Sequence, residues 1–319
     1  MPEAPTVELD AQYRELREGC GLLDRSGRGK LLVSGQDAAE YLQGQLTNDV
    51  EALGPGEGCY AALLDRKAHI QADMRVLRPG EGPDLWLDTE AGAPFEAALR
   101  HLVTYSIGRD VAVEDVGERR SIVSLLGPGT GAVAGTPRLP LDACATTTLA
   151  GVECLAVGTE DGTDFILAAE GRERLRDALL EAGAVEVEPA AVEIVRIEAG
   201  RPRFGAEFGT ETMPAEAGIV ERAVSFTKGC YIGQEPVARL HHRGRPNRHL
   251  RGLRLSAPAE SGAALSLDGK EVGRVGSSCV SPALGAIALA VIRREAEPGA
   301  ELTAGEDGVT AQVVDLPFG

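Results

Sequence analysis

Residues 60–78 read YAALLDRKAHIQADMRVLR, and how this stretch is taken decides the fold. YAALLD and HIQADMRVLR are two strand-like runs, and Asp65-Arg66-Lys67-Ala68 between them suits a hairpin. DLWLDTE adds a third strand, with Leu85 and Leu87 on one face and Trp86 on the other. GAPFEAALRHLVTY reads as an amphipathic helix, with Pro94 suited to its first turn, and DVAVEDV closes the group as another strand. Upstream, VELDAQYRELREG carries a loose helical spacing and GKLLVSG is a short strand. Asp37 is placed to cap a helix over AAEYLQGQL.

The same order returns downstream. RRSIVSLLG is a strand, and GVECLAV and DFILAAE suit a hairpin about Glu160-Asp161-Gly162. GRERLRDALLEAG is a helix ending at Gly183, and AVEVEP is a strand. Two similar α+β halves are the simplest arrangement of this repeat. AAVEIVRIEAG reads as one more helix, and RPRFGAEFGTETMPAEAG, punctuated by Gly and Pro, as loop. Past Pro246, short β runs alternate with turn residues, and Asp268-Gly269 is a strong hairpin signal. Arg251–Leu316 therefore reads as a small β-barrel or sandwich. The expected division is 1–245 for two related, interleaved α+β domains and 246–319 for the β-barrel.

The 319 residues are 43% hydrophobic and 25% charged, an ordinary globular balance that can build a core. No apolar run approaches the roughly 20 residues a membrane helix needs. The acidic start MPEAPTVELD is unlike a secretory signal, so a cytoplasmic protein is expected. Cys20, Cys59, Cys144, Cys154, Cys230 and Cys279 are scattered, without the grouping of a zinc site, an iron–sulfur cluster or a disulfide framework. Most read as buried fillers, Cys230 excepted. A net charge of −17 argues against general nucleic-acid binding. One segment opposes that charge: RLHHRGRPNRHLRGLR, residues 239–254, holds arginines and histidines and no acid. It also lacks the aromatic residues that single-stranded RNA sites interleave.

Three motif readings fail. Gly127-Pro128-Gly129-Thr130-Gly131-Ala132 fits a dinucleotide loop, but two prolines follow where its helix should run, so it reads as a connection. Ser26-Gly27-Arg28-Gly29-Lys30-Leu31 lacks the first glycine and the Ser/Thr of a phosphate loop. His241, His242 and His249 stand among arginines, which repel a divalent cation.

What remains is a set of acids, amides and one thiol in loops: Asn48, Asp49, Asp73, Glu198, Lys228, Cys230, Gln234, Glu235 and Arg239. Lysine is rare here, which makes Lys228 in KGCYIGQE (228–235) conspicuous. A thiol becomes a good nucleophile only as the thiolate, which neighbouring cations favour, and Lys228 and Arg239 lie near Cys230 in sequence.

In YLQGQLTNDV, GPGEGCYAALLDRKAHIQADMRVL, VRIEAGRPRFGAEF, TMPAEAG and KGCYIGQEPVARLHHRGRPNR, the chain resembles the folate-binding superfamily of the glycine-cleavage T-protein. Within it, the Lys-Gly-Cys run resembles the YgfZ-type folate-binding proteins. The resemblance implies an α+β, GcvT/YgfZ-like fold: two related α+β domains and a carboxyl-terminal β-barrel about a hole that takes tetrahydrofolate. It implies that Glu198 meets the pterin, whose aminopyrimidine edge offers paired N–H donors to a carboxylate. It implies that Asp73 is the acid near folate N5 and N10, with Cys230 the distinctive reactive group. Asn48, Asp49, Lys228, Tyr231, Gln234, Glu235 and Arg239 would complete the folate rim, with arginines suited to a polyglutamate tail. Ile70-Gln71-Ala72, before Asp73, departs from the transferase, which typically has a second acid and glycine ahead. The expected function is a tetrahydrofolate-binding helper of iron–sulfur cluster assembly or repair in client enzymes, tRNA-modifying ones included. The alternative is a folate-dependent aminomethyltransferase of the glycine-cleavage type.

Overall fold

The computed structural model describes residues 6–306 and 308–318. The first five residues of the acidic amino-terminal stretch lie outside the described residues. The chain divides into two compact units. The larger holds Arg14–Val187 and Glu221–Gln234; the other holds the chain up to Tyr13, Glu188–Val220 and the chain from Glu235 onward.

The larger unit contains two antiparallel sheets built on the repeat. In the first, the strands run in the order Glu57–Leu64, Ile70–Arg78, Leu85–Thr89, Gly29–Ser34, Ala112–Asp115. The hairpin expected over 60–78 is present, and its turn is held by Asp65 Oδ1, which accepts the Lys67 and His69 N–H groups at 2.8 Å each. Side chains alternate across a strand, and here the two faces differ in kind. Ala61, Leu63, Ala72, Met74, Val76, Leu85, Leu87, Leu31 and Val33 pack with Tyr41, Leu42, Ala98 and Leu102 of the helices Ala38–Gln45 and Ala93–Tyr105. Each large apolar side chain in that layer contributes roughly 1.5–3 kcal/mol by leaving water. The residues of opposite parity, Tyr60, Asp73, Arg75, Leu77, Trp86, Asp88 and Lys30, face the other way.

The second sheet runs Val185–Glu186, Gly21–Asp24, Arg120–Leu126, Gly162–Ala168, Val152–Gly158, Cys144–Leu149. One face packs on the helix Arg172–Glu181 through Val123, Leu125, Phe165, Leu167, Leu175 and Leu179. Its other face meets the first sheet through Leu77, Ile122, Cys144, Val157 and Ile166. Beside that apolar patch Arg75 lies 2.7 Å from Asp164 and also pairs with Asp88, all buried. One guanidinium thus spans both sheets.

Four local expectations differ. Cys144–Leu149 is a strand, paired with Val152–Gly158 through Ala150 (φ 51°) and Gly151 (φ 72°); its exposed threonine face hides the apolar alternation. Asp37 does not cap the helix after it. Its Oδ2 instead accepts the Asp110 N–H at 2.9 Å. The Gly127–Ala132 connection carries a five-residue helix, Thr130–Ala134. The stretch read as loop after Arg201 contains the short helix Pro214–Ala217.

In the other unit, Arg248–Leu255, Val309–Val314, Glu301–Ala304, Ala264–Leu267, Lys270–Arg274 and Gly285–Arg293 form a barrel that closes by pairing Gly285–Arg293 back onto Arg248–Leu255. Closure leaves those six strands without a free edge. The inner face is Leu253, Leu265, Val272, Ala288, Ala290, Ile292, Leu302, Ala311 and Val313. Asp268-Gly269 turns the expected hairpin, with φ of 50° and 77°. Ser277–Ser281 adds a strand outside the ring, on Gly285–Arg293. Among the described residues no helix is long and apolar enough to cross a membrane.

Candidate functional site

In the larger unit the candidates gather where the 60–78 hairpin meets the Thr47–Val50 turn and the Glu221–Gln234 segment. The register Ala62↔Asp73 and the period of two place Tyr60 on the same face as Asp73. The Tyr60 hydroxyl donates to Asp73 Oδ2 at 2.7 Å, and the Thr89 hydroxyl donates to the Asp73 carbonyl at 2.5 Å. Asp73 Oδ1 is buried and has no hydrogen-bond partner among the described residues. Burial pushes the Asp73 pKa above the usual carboxylate range, against the Tyr60 hydrogen bond and the nearby Arg28 charge, while Glu90 pushes it up too. Burial also holds the Tyr60 phenol well above its ordinary value, so it stays a donor.

Asn48 ties this pair to the later segment. Its Nδ2 donates to the Tyr60 carbonyl at 2.8 Å and to the Arg222 carbonyl at 3.0 Å. The Arg222 guanidinium lies 4.6 Å from the Tyr60 ring centroid and pairs with Glu160 and Asp142. Thr47 does similar work, donating to the Ala223 carbonyl at 2.5 Å and accepting the Ala62 N–H at 2.8 Å. Asp49 accepts from Gln43 Nε2 at 2.8 Å, and Gln43 Oε1 accepts the Val50 N–H at 2.8 Å.

Lys228 is 8% exposed, and its ammonium donates to the carbonyls of Gln43 and Leu46 at 2.6 Å and of Asn48 at 2.8 Å. It also lies 5.1 Å from the centroid of the buried Tyr231 ring. Burial lowers its pKa to about 8 and raises that of Tyr231 to about 12. The lysine thus fastens KGCYIGQE to the Gln43–Asn48 turn. Its three short bonds go to carbonyls rather than to the thiol. Of the six cysteines Cys230 alone is exposed. Of the two motif glycines, Gly233 is needed: its φ is 84°, and a Cβ there would stand 2.6 Å from the Asp65 carbonyl oxygen. Gly229 has open space around it. Gln234, half-buried, opens the helix Gln234–Arg243.

The remaining candidates belong to the other unit. Glu198 ends the helix Pro189–Glu198 and is 7% exposed. The Tyr13 hydroxyl donates across both carboxylate oxygens, at 2.9 and 3.1 Å, and the Ser281 hydroxyl donates to Oε1. Ser281 arrives on the strand outside the barrel ring. Glu235 and Arg239 are exposed on the helix Gln234–Arg243. Arg239, Arg243 and Arg245 make no ion pair among the described residues, whereas Arg248 pairs with Glu216 and Arg251 with Asp315.

Sequence reasoning missed Tyr60, Arg222, Tyr13 and Ser281. Tyr60 had a signal, since a four-residue hairpin link sets it beside Asp73. Tyr13 and Ser281 had none, being 185 and 83 residues from Glu198. A buried carboxylate oxygen with no partner is a prepared acceptor for a ligand N–H, because leaving it empty costs about 1–3 kcal/mol.

Residues 6–228 match the family model described as GCVT N-terminal domain, and residues 248–318 match the glycine cleavage T-protein C-terminal barrel domain. The chain is 32% identical to an aminomethyltransferase of Rubrobacter xylanophilus, covering 97% of this chain and 86% of the relative. It is 31% identical to an aminomethyltransferase of Thermus thermophilus, covering 96% and 89%. The crystal structure of glycine cleavage system aminomethyltransferase T from Bartonella henselae superposes with a TM-score of 0.88 over 98% of this chain and 89% of that one. At 24% identity that likeness concerns the fold alone.

Proposed function

Because the chain belongs to the glycine cleavage T-protein family, we propose that it binds tetrahydrofolate and acts as a folate-dependent transferase of the aminomethyl type. The observation that carries this reading is the buried, unpartnered Oδ1 of Asp73, with its sister oxygen fixed by Tyr60. Tetrahydrofolate supplies the nitrogens that carry a one-carbon unit. Asp73 would hold or release a proton at Oδ1, and its raised pKa brings the carboxyl nearer the pH at which such exchange is effective. Glu198, oriented by Tyr13 and Ser281, would accept the paired N–H groups of a pterin. Asn48, Asp49, Lys228 and Tyr231 would shape the turn against which the ligand packs. Gln234 and Glu235 would contribute polar contacts, and the exposed Arg239 would suit a glutamate carboxylate of the cofactor. A cytoplasmic setting accords with this chemistry. Residues 1–245 would supply the folate-binding region and 246–319 the barrel domain.

Calorimetry with tetrahydrofolate tests the binding. Mixed with tetrahydrofolate and an aminomethyl donor, the protein should form methylenetetrahydrofolate, and Asp73→Asn should abolish that turnover. A protein that binds no tetrahydrofolate ends the reading.

A second reading has its own observation. Cys230 is exposed in the KGCYIGQE run, and Ile70-Gln71-Ala72 carries no second acid ahead of Asp73. These favour a YgfZ-type role, in which folate binding supports iron–sulfur cluster assembly or repair in client proteins, tRNA-modifying enzymes among them. Tight folate binding without turnover, together with a functional loss on Cys230→Ser, would favour it over transfer.

A further inference from the structure

Three strands bring charge to Asp73 in one line. Gly29 and Met74 both pair with Thr89, so one step along each strand Arg28, Glu90 and Asp73 share the next cross-strand row and the same side of the sheet. Arg28 forms an ion pair with Glu90, and its Nη2 lies 3.6 Å from Asp88 Oδ1. The turn presenting Arg28 is closed from beneath by Lys30, 1% exposed, whose ammonium donates to the carbonyls of Ser26 at 2.6 Å and Arg28 at 2.8 Å. The fourth strand contributes Tyr60. The charged and titratable groups facing Asp73 are therefore Tyr60, Arg28 and Glu90, with Lys30, Asp88 and Arg75 forming the row behind.

We propose that Arg28 is a positioning residue for Asp73: its guanidinium, tethered by Glu90 and Asp88, keeps the carboxylate charged and Oδ1 available as an acceptor for a folate N–H. This rests on the folate reading and deepens it. Among the described residues, Arg28 is the only cation in the Asp73 row. It acts twice, by attracting the Asp73 charge and by neutralising Glu90, which would otherwise oppose that charge. Burial alone would favour a protonated Asp73, which could not accept in the same way at both oxygens.

The test is the titration of the Asp73 carboxyl, followed by carbon-13 NMR in the ligand-free protein, with Asp73→Asn identifying its resonance. Arg28→Met should raise the midpoint by about one unit or more. Glu90→Gln, which keeps the cation and removes the opposing acid, should lower it, and Arg28→Lys should restore most of the parent value. The acid limb of the tetrahydrofolate affinity profile should move in the same direction in each variant. Shifts of one sign in both Arg28→Met and Glu90→Gln, or unmoved midpoints, overturn the proposal. Should Arg28→Met fail to fold, Arg28→Gln takes its place, with the same rise in the midpoint expected and an unmoved midpoint overturning the proposal. A parent protein that binds no tetrahydrofolate at any pH refutes the folate reading, while the ligand-free titration still decides the role of Arg28.

Discussion

Replacing Lys228 by methionine is a sharp test of how the KGCYIGQE segment is held. The stem volume is nearly kept, but three carbonyls, those of Gln43, Leu46 and Asn48, lose their donor. Each buried carbonyl left bare costs about 1–3 kcal/mol. Against this, the ammonium is itself costly to bury. Its pKa falls from 10.5 to about 8, and at about 1.4 kcal/mol per unit that is a penalty of about 3 kcal/mol. Three such carbonyls come to about 3–9 kcal/mol, so the net loss expected for Lys228→Met near pH 7 is about 0–6 kcal/mol. The sign of the pH dependence is the more decisive readout. Between pH 8 and 10.5 the unfolded lysine holds a proton that the folded one has released, so parental stability should rise with pH across that window. Urea denaturation of both proteins from pH 7 to 10.5 measures this. The gap between parent and variant should widen as pH rises above 8. A gap that narrows instead would show that the three carbonyls hold the ammonium more strongly than burial expels it, and the reasoning would be refuted.

Other substitutions follow from the same geometry. Asp73→Asn should raise the melting temperature at pH 7 while weakening tetrahydrofolate binding, because a carboxyl whose folded pKa is raised loses stability as pH climbs through its titration; a lower melting temperature contradicts this. Gly233→Ala should cost about 1–3 kcal/mol in chemical denaturation, since it meets a carbonyl at a positive φ, while Gly229→Ala should be close to neutral. Arg75→Met leaves the buried Asp88 with Arg28 alone among the described residues and the buried Asp164 with Ser124 and the more distant Arg25, and should cost about 3–5 kcal/mol in the same assay. A loss below that of an ordinary surface change would show the bridge to be idle.

The hairpin over 60–78 was readable because turn chemistry and strand composition point the same way there. So were the barrel, announced by Asp268-Gly269, and the helix that ends on Glu198. Cys144–Leu149 was not, since its threonines face solvent and the apolar period disappears. The helix Gln234–Arg243 was obscured by the charge of its arginines. Among the candidate residues, Asp73, Asn48, Lys228 and Glu198 stood out as polar residues in a recognisable order. What holds them did not. Tyr13 and Ser281 reach Glu198 only after the chain has folded, and Arg28 becomes a neighbour of Asp73 only through two strand registers. Lys228 shows a different gap: its residue type suggested a partner for the thiol, whereas its stem reaches backbone carbonyls.

The strand Ile70–Arg78 has a consequence for how this protein can vary. Met74 and Val76 point toward the helices, while Asp73 and Arg75 point toward the second sheet. Structural and chemical instructions are thus interleaved on one ribbon at a spacing of a single residue. A one-residue deletion between Leu64 and Asp73 would turn the acid into the apolar layer and bring Met74 into its place, and a one-residue insertion in the turn would turn the acid the same way and bring Ala72 there. Two such changes, or a compensating bulge, would restore both at once. Length variation in this hairpin should therefore be tolerated in even steps and rejected in odd ones, a parity rule that a library of turn lengths would expose directly.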